Sequence, residues 1–561
     1  DYRLLIGGDF NSVNGVSKHR AARLKLCVDS TIWDGFSWTK GYPSSGKEVF
    51  FKESYPNLIA ANICSCTIEP SKTVTLLSGN TLGIEFSYSG LGTLVLEDTA
   101  SLYQSDDSVV NTGIINLFRK TKPILRYDYT FWSSPVANQK LIDVSPNTLF
   151  DKYLSYDIAS GWIEEPRINN MLLGKGYAIR GPQDFSITSR AVYEAVFKGI
   201  PNNGKVEIEL GETDSFSLVG NPYPSAIDAT AFLKKNNLKT KGALYFWMHH
   251  TPVTNFEYNS DDYAAYNLVG GVGTEASSSG VNETIPDGKI ASGQSFFVTS
   301  NASGTIEFND SMRILGNNNA FFKPSKAGNF PSSNKIEKHR LWLNFENSKG
   351  AYKQILIGYM DEATNAYDLN YDAESLDGNQ FVDFYSLIDD KKLVIQGRAL
   401  PFSESDFVAL GYSSTIAGEF SIAIDHADGD LSAQTVYLED KTENIMHNLL
   451  ESSYKFTTTA GTFLDRFVIR YNIETLGADQ FKNQESSLCI SVKGKNIILN
   501  STKDVMKEVS IFDVSGKMLF NNKTINNTEY QIVNFKSSDQ ILLINVVFES
   551  GKSAAQKIVF H

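Results

Sequence analysis

Short strands of alternating polarity, joined by turns of two or three residues, restrict a chain to all-β folds, and residues 488–561 contain little else. Val509, Ser510, Ile511 and Phe512 alternate and read as a strand. Asp513, Val514, Ser515, Gly516 and Lys517 supply turn chemistry, and Met518, Leu519 and Phe520 start the return strand. The run from Ile541 to Phe548 is almost wholly apolar, the pattern of a strand covered on both faces. Ser550, Gly551 and Lys552 make the next turn, and Ala555 to Phe560 read as one more strand. Residues 488–561 therefore form an independent β-domain of about seven strands, the remaining ones inferred from the length of the segment.

The rest of the chain is written in the same way. At 561 residues the length suggests three to four domains. A hydrophobic content of 42% is enough for packed cores. The strings KTVTLLSG, TLGIEFSYSG and GTLVLEDTASLYQ make residues 27–116 a short-strand region, either solenoid rungs or the edge of a sandwich. Aromatic strands at 127–132, 176–179, 243–247 and 294–298 make residues 117–323 a β-sandwich with helical inserts. One insert is expected at 148–153, with Ser145 as N-cap and Pro146 at the first helical position. Another is expected at 229–233, with Ser225 and Asp228 as a capping box. A linker rich in Asn, Ser and Pro separates this part from six expected strands in residues 339–471, read as a second sandwich. Residues 472–487 form a polar linker, the place where any processing is expected.

The hairpin VSIFDVSGKMLF, the strand and turn ILLINVVFESGK and the closing KIVF resemble the C-terminal sorting domains of type IX secretion cargo in Flavobacterium-like Bacteroidota. The resemblance is to a less common subtype. The usual Pro-Asn-Pro opening is replaced by Cys489-Ile490-Ser491-Val492-Lys493-Gly494, and the usual Gly-Val-Tyr by Asp539-Gln540-Ile541. YTFWSSPV, GKGYAIRGP, GNPYPSAID, ALYFWMHHT and QGRALPF, with VYLEDKTENIMHNL and YKFTTTAGTFLDRFVIRY, resemble a unit found upstream of such signals. RLLIGGDFNSVNGVSKHRAARL, near the start, resembles one unit of a β-propeller repeat array, so residues 1–26 are expected to end such an array in a longer protein.

The resemblance implies an immunoglobulin-like sorting domain, export across the outer membrane to the cell surface or medium, and an adhesin-like or gliding-associated role. The implied partners are the outer-membrane shuttle barrel and the translocon barrel of the secretion machinery. Gly516, Lys517, Gly551, Lys557, Ile558, Val559 and Phe560 are the residues expected to form the sorting signal. Of the last four, alternation sends two toward a partner and two inward. A net charge of −13 disfavours nucleic-acid binding, and no apolar run approaches the ~20 residues of a membrane span.

Residue chemistry elsewhere points away from an enzyme. No nucleophile elbow, phosphate loop or dinucleotide fingerprint is present. Asp361, Glu362, Asp368, Asp372, Glu374 and Asp377 could pair as acid and base, but they are scattered through a stretch that reads as a solvated loop. Asp425, Asp428 and Asp430, around Gly429, offer oxygen ligands for Ca²⁺, and no other cofactor is expected. His249 and His250 are neighbours on an expected strand and so face opposite ways. Cys64 and Cys66 share one face of a strand, and Cys27 could pair with either. Tyr263, Tyr266, Tyr367 and Tyr371 are placed where a sugar could stack on them. A polysaccharide-acting protein is thus the alternative reading, and a structural stalk a third.

Overall fold

Leu58, Leu76, Leu96 and Leu117 are successive partners in parallel register, and none is exposed to solvent. They belong to a β-solenoid seen in the computed structural model of the protein. That structure describes residues 3–7, 12–13, 16–17, 21–25, 27–248, 262–274, 285–316, 318, 337–376, 381–472, 488–501, 504–514, 516–537, 540–550 and 553–560. One parallel ladder holds Tyr55–Leu58, Thr73–Leu76, Thr93–Leu96 and Ile114–Ile124. A second holds Ala61–Ile63, Thr81–Ile84 and Ser101–Tyr103, and a third Asp29–Trp33, Lys47–Phe51, Ser65–Ile68 and Tyr88–Gly90. Alternation sends every second side chain inward, and each buried leucine of the stack contributes roughly 1.5–3 kcal/mol. The turn at Gly90 requires glycine: its φ is 102°, and a Cβ would lie 2.2 Å from the Ile68 carbonyl oxygen. Of the two readings open for this region, rungs or a sandwich edge, the structure takes the first. Cys27 forms a disulfide with Cys64, and Cys66 stays reduced and buried.

The chain divides into two compact units, residues 1–471 and 472–561. Within the first, the boundary expected at 116–117 falls inside one strand. Ile114–Ile124 pairs in parallel with Thr93–Leu96 on one edge and antiparallel with Ala191–Gly199 on the other. The solenoid core accordingly runs on into Trp132, Tyr177, Ile179 and Phe197. A second core joins the five-stranded sheet containing Thr240–Trp247 and Ser295–Ser300 to the strands beyond residue 338. Near the chain start, Arg3–Gly7 pairs antiparallel with Ala21–Lys25, and Ser12–Val13 with Val16–Ser17.

Two expectations about helices change. The first helix is Leu141–Val144, ahead of Ser145, and residues 148–153 are not helical. Pro146 explains this, because its ring drives the preceding residue out of the helical region. Ser145 has φ −147° and ψ 80°, closing a helix and not opening one. The second helix, Ala229–Lys235, is capped by Asp228, which accepts hydrogen bonds from the Thr230 and Ala231 amides. Ser225 instead accepts one from Arg313 Nε at 2.9 Å.

Beyond residue 338, two separate sheets were expected from the alternation. Instead a single hydrogen-bonded sheet of eleven strands runs from Ile445–Asn448 at one edge to Tyr454–Thr458 at the other. It folds over on itself, so that Phe345 packs on Phe384, Tyr412 and Phe420, with ring centroids 4.9–5.3 Å apart. Asp440, fully buried beside this core, is held by Arg466 and by the Tyr454 hydroxyl at 2.9 Å.

Among its described residues the second unit has seven strands in two antiparallel sheets. One sheet holds Leu488–Lys493, Asn496–Ser501 and Glu529–Ile532, and the other Met518–Asn522, Met506–Asp513, Gln540–Phe548 and Ser553–Phe560. Ile497, Leu499, Val509, Ile511, Leu542, Ile544, Val546 and Phe560 form its core.

Candidate functional site

The strand Gln540–Phe548 is covered on one face only, contrary to the expectation from its apolar run. Leu542, Ile544, Val546 and Phe548 are buried, whereas Leu543 is 46% exposed. The register explains what surrounds it. Leu543 lies between Phe512 on one neighbouring strand and Lys557 on the other, and Ile541 lies opposite Val559. Phe512, Val514, Gly516, Ile541, Leu543 and Lys557 line an open groove of about 460 Å³. Val514, Met518 and Val559 are each more than half exposed around it. Contiguous apolar surface of this kind, with a cation at its rim, marks interaction sites more often than chance exposure does.

The last strand supplies one wall of the groove. Lys557 and Val559 point outward, while Ile558 and Phe560 are buried, Phe560 against the Phe535 ring at 5.4 Å. Ser553–Phe560 pairs with Gln540–Phe548 on one side and, among the described residues, with no strand on the other. Its outer edge therefore presents backbone N–H and C=O groups suited to strand addition. Gly516 lines the groove, and Lys517 follows it as an exposed residue of the same turn. Gly516 adopts φ 81°, its amide donates to the Asp513 carbonyl, and Lys517 N donates to Asp513 Oδ1 at 3.0 Å. Of the expected signal residues, the structure brings Gly516, Lys557 and Val559 to one surface, leaves Lys517 exposed beside Gly516, and turns Ile558 and Phe560 into core; Gly551 lies outside the described residues. Sequence reasoning missed Leu543, Phe512 and Val514. The signal that could have found them was the cross-strand register, since Leu543 shares the outward face with Lys557 and Val559.

The carboxylate-rich loop is not simply solvated. Asp372 is 1% exposed and accepts hydrogen bonds from the Gly397 amide at 2.9 Å and the Asp368 amide at 2.6 Å. Burial pushes its carboxyl up to about 7 in spite of those donors. Asp368 in turn accepts from the Thr364 amide, and Glu362 from the Tyr371 hydroxyl at 2.8 Å. Glu374 is bonded by Tyr367 and Lys391, both at 2.9 Å. Asp361 is exposed, and Asp377 lies outside the described residues.

The candidate calcium ligands each have another partner. Asp428 is gripped by the Arg340 guanidinium, Asp425 bonds Asn344 and His426, and Asp430 lies 3.7 Å from His339. Among the described residues, no group of three or more His, Cys, Asp or Glu side chains is arranged to hold a metal. His249 and His250 lie outside the described residues. Of the four tyrosines considered for stacking, Tyr263 and Tyr266 form part of a strand, Tyr371 is buried, and Tyr367 lines an open cleft. No described helix is long and apolar enough to cross a membrane.

These features define an all-β protein in which a separate unit, seven-stranded among the described residues, carries an open apolar groove. The chain belongs to the family described as Domain of unknown function (DUF8693), which matches residues 28–471. Residues 476–560 match a second, Domain of unknown function (DUF8694). No curated protein is significantly similar to the chain.

Proposed function

We propose that the protein is a cell-surface or secreted, non-enzymatic cargo of the type IX route, and that its immunoglobulin-like terminal unit is the address read by the outer-membrane secretion components. The observation that carries this reading is the apolar groove between the 513–517 turn and the last two strands, with Lys557 and Val559 on its rim. A free-standing β-sandwich has no internal need for a half-exposed Leu543 bordered by Val514 and Val559. Two further facts support it. The terminal unit packs around its own core and matches a family of its own, as a transferable signal requires. The Cys27–Cys64 disulfide suits an oxidising compartment outside the cytoplasm. An adhesin-like or gliding-associated role for residues 28–471 goes with this reading.

The test is a reporter fused to residues 488–561, followed by cell fractionation in a bacterium that possesses the type IX route. The intact fusion reaches the surface. Removing residues 557–561 also removes Ile558 and Phe560 from the core, so loss of export by that deletion alone does not separate recognition from folding. Leu543→Asp and Val559→Asp change only the outward face. Their accumulation in the periplasm as folded protein is the expected result, and unimpaired export of both would overturn the reading.

A further inference from the structure

In the first unit, the stapled loop 361–376 forms one wall of a cleft of about 220 Å³. The floor is the five-stranded sheet. Lys241, Ala243 and Tyr245 project from alternate positions of Thr240–Trp247, and Phe216 and Thr299 are cross-strand partners beside them. The wall contributes Tyr367 and Glu374. Most of this lining is fixed by contacts already present. The Tyr245 hydroxyl bonds the Glu374 carbonyl at 3.2 Å, Tyr367 and Lys391 bond its carboxylate, and Asp372 anchors the loop to Gly397. These contacts hold the lining in one shape before any ligand arrives, as a preformed binding site requires.

The lining indicates the ligand. Lys241 is paired with Asp214, Glu374 with Lys391 from outside the lining, and the remaining acid, Asp372, is turned onto the Gly397 and Asp368 amides, so the cleft offers little net field to select an ion. Yet the ammonium groups have further protons to donate and the carboxylates further lone pairs to accept with. Two half-buried rings, Phe216 and Tyr367, stand among them. Alternating donors and acceptors around aromatic carbon match a ligand that is neutral, rich in hydroxyl groups and apolar on its ring faces. We propose that this cleft binds a neutral pyranose unit, with Tyr367 and Phe216 contacting the sugar's C–H face and Lys241, Asp214 and Glu374 its hydroxyls.

The experiment is saturation-transfer NMR on the full chain with millimolar methyl glucopyranoside, methyl galactopyranoside and methyl mannopyranoside, and with galacturonate as the charged comparison. Transfer to the ring protons of at least one neutral glycoside is expected. It should be lost in Tyr367→Ala and in Lys241→Met, with the fold of each variant verified by near-ultraviolet circular dichroism. Lys241→Met lies on the sheet and leaves the loop staples alone, so it decides the matter if Tyr367→Ala perturbs the loop. No transfer to any neutral glycoside, preference for galacturonate over all three, or transfer undiminished in Lys241→Met would each overturn the proposal.

Discussion

Leu543 and Lys557 face each other across the last two strands, and both turn away from the core. Their immediate neighbours in sequence, Ile544 and Ile558, are buried on the other side of the same sheet. This separates two kinds of substitution at adjacent positions. Leu543→Asp should change the stability of residues 488–561 by no more than about 0.5 kcal/mol, the usual range for an exposed site, while abolishing export. Ile544→Asp should prevent folding, because it buries an unpaired carboxylate. Thermal unfolding of the isolated segment, set beside fractionation of the fusion, checks both.

Arg466 and Asp440 form the most enclosed ion pair near the aromatic core of the eleven-stranded sheet. The guanidinium Nη2 lies 2.7 Å from Asp440 Oδ2 and also packs near the Phe456 and Phe467 rings. Removing one member leaves the other charge buried, at a typical cost of about 3–5 kcal/mol. Asp440→Ala should therefore lower the melting temperature more than any exposed Asp→Ala change. Burial raises the Asp440 carboxyl, but the hydrogen bonds from Arg466, Tyr454 and the Glu443 amide outweigh it and hold the group below its ordinary value. The stabilisation it gives is present above the unfolded value of about 3.9 and is lost as pH falls through the lower folded value. Acid unfolding of the wild-type protein and of the variant should converge at low pH.

Asp372 titrates in the opposite sense. Burial lifts its folded value to about 7, so between about 4 and 7 the folded chain holds a proton that the unfolded chain has released. This group's contribution is fully present below about 4 and declines as pH rises to about 7. Asp372→Asn removes that slope. The stability deficit of the variant should shrink between pH 4 and 7, as measured by denaturant unfolding at a series of pH values.

The Cys27–Cys64 bridge closes a loop over a sequence separation of 37 residues at the start of the solenoid. In the chain-entropy account, closure of such a loop is worth roughly 4 kcal/mol. Cys27→Ser should lower the melting temperature of the first unit and leave the unfolding of the terminal unit in the same chain at the temperature of the isolated segment 488–561. Calorimetry of the full variant chain and of the segment measures the two effects separately.

Strands with strong local alternation were legible in the sequence. All six expected between 339 and 471 exist, and so do the four expected in the terminal unit. The strands that were missed, such as Val382–Ile388, Phe407–Ser414 and Glu529–Ile532, owe their place to long-range partners and carry mixed faces. The join between solenoid and neighbouring sheet could not be read, because nothing local tells a strand with a parallel partner on one edge that its other edge will be antiparallel. The turn at Gly516 and Lys517 and the two-faced last strand were legible, but alternation alone does not say which pair faces out, Lys557 with Val559 or Ile558 with Phe560. Leu543 was hidden because an apolar residue inside an apolar run looks like core; only the register shows which face it takes. The carboxylate loop was misjudged for the converse reason, since residues typical of solvated loops also serve as caps and staples for backbone amides.

The stack formed by Leu58, Leu76, Leu96 and Leu117 bears on how a family with this architecture can vary. Each rung satisfies the same inward positions as the one before it, so a whole rung can be duplicated or lost without creating a new kind of contact. The strand Ile114–Ile124 then acts as a fixed terminus, committed on its far edge to Ala191–Gly199 whatever precedes it. Reach becomes a parameter that changes in whole-rung steps upstream of that strand, while the sheet that lines the cleft is left as it stands.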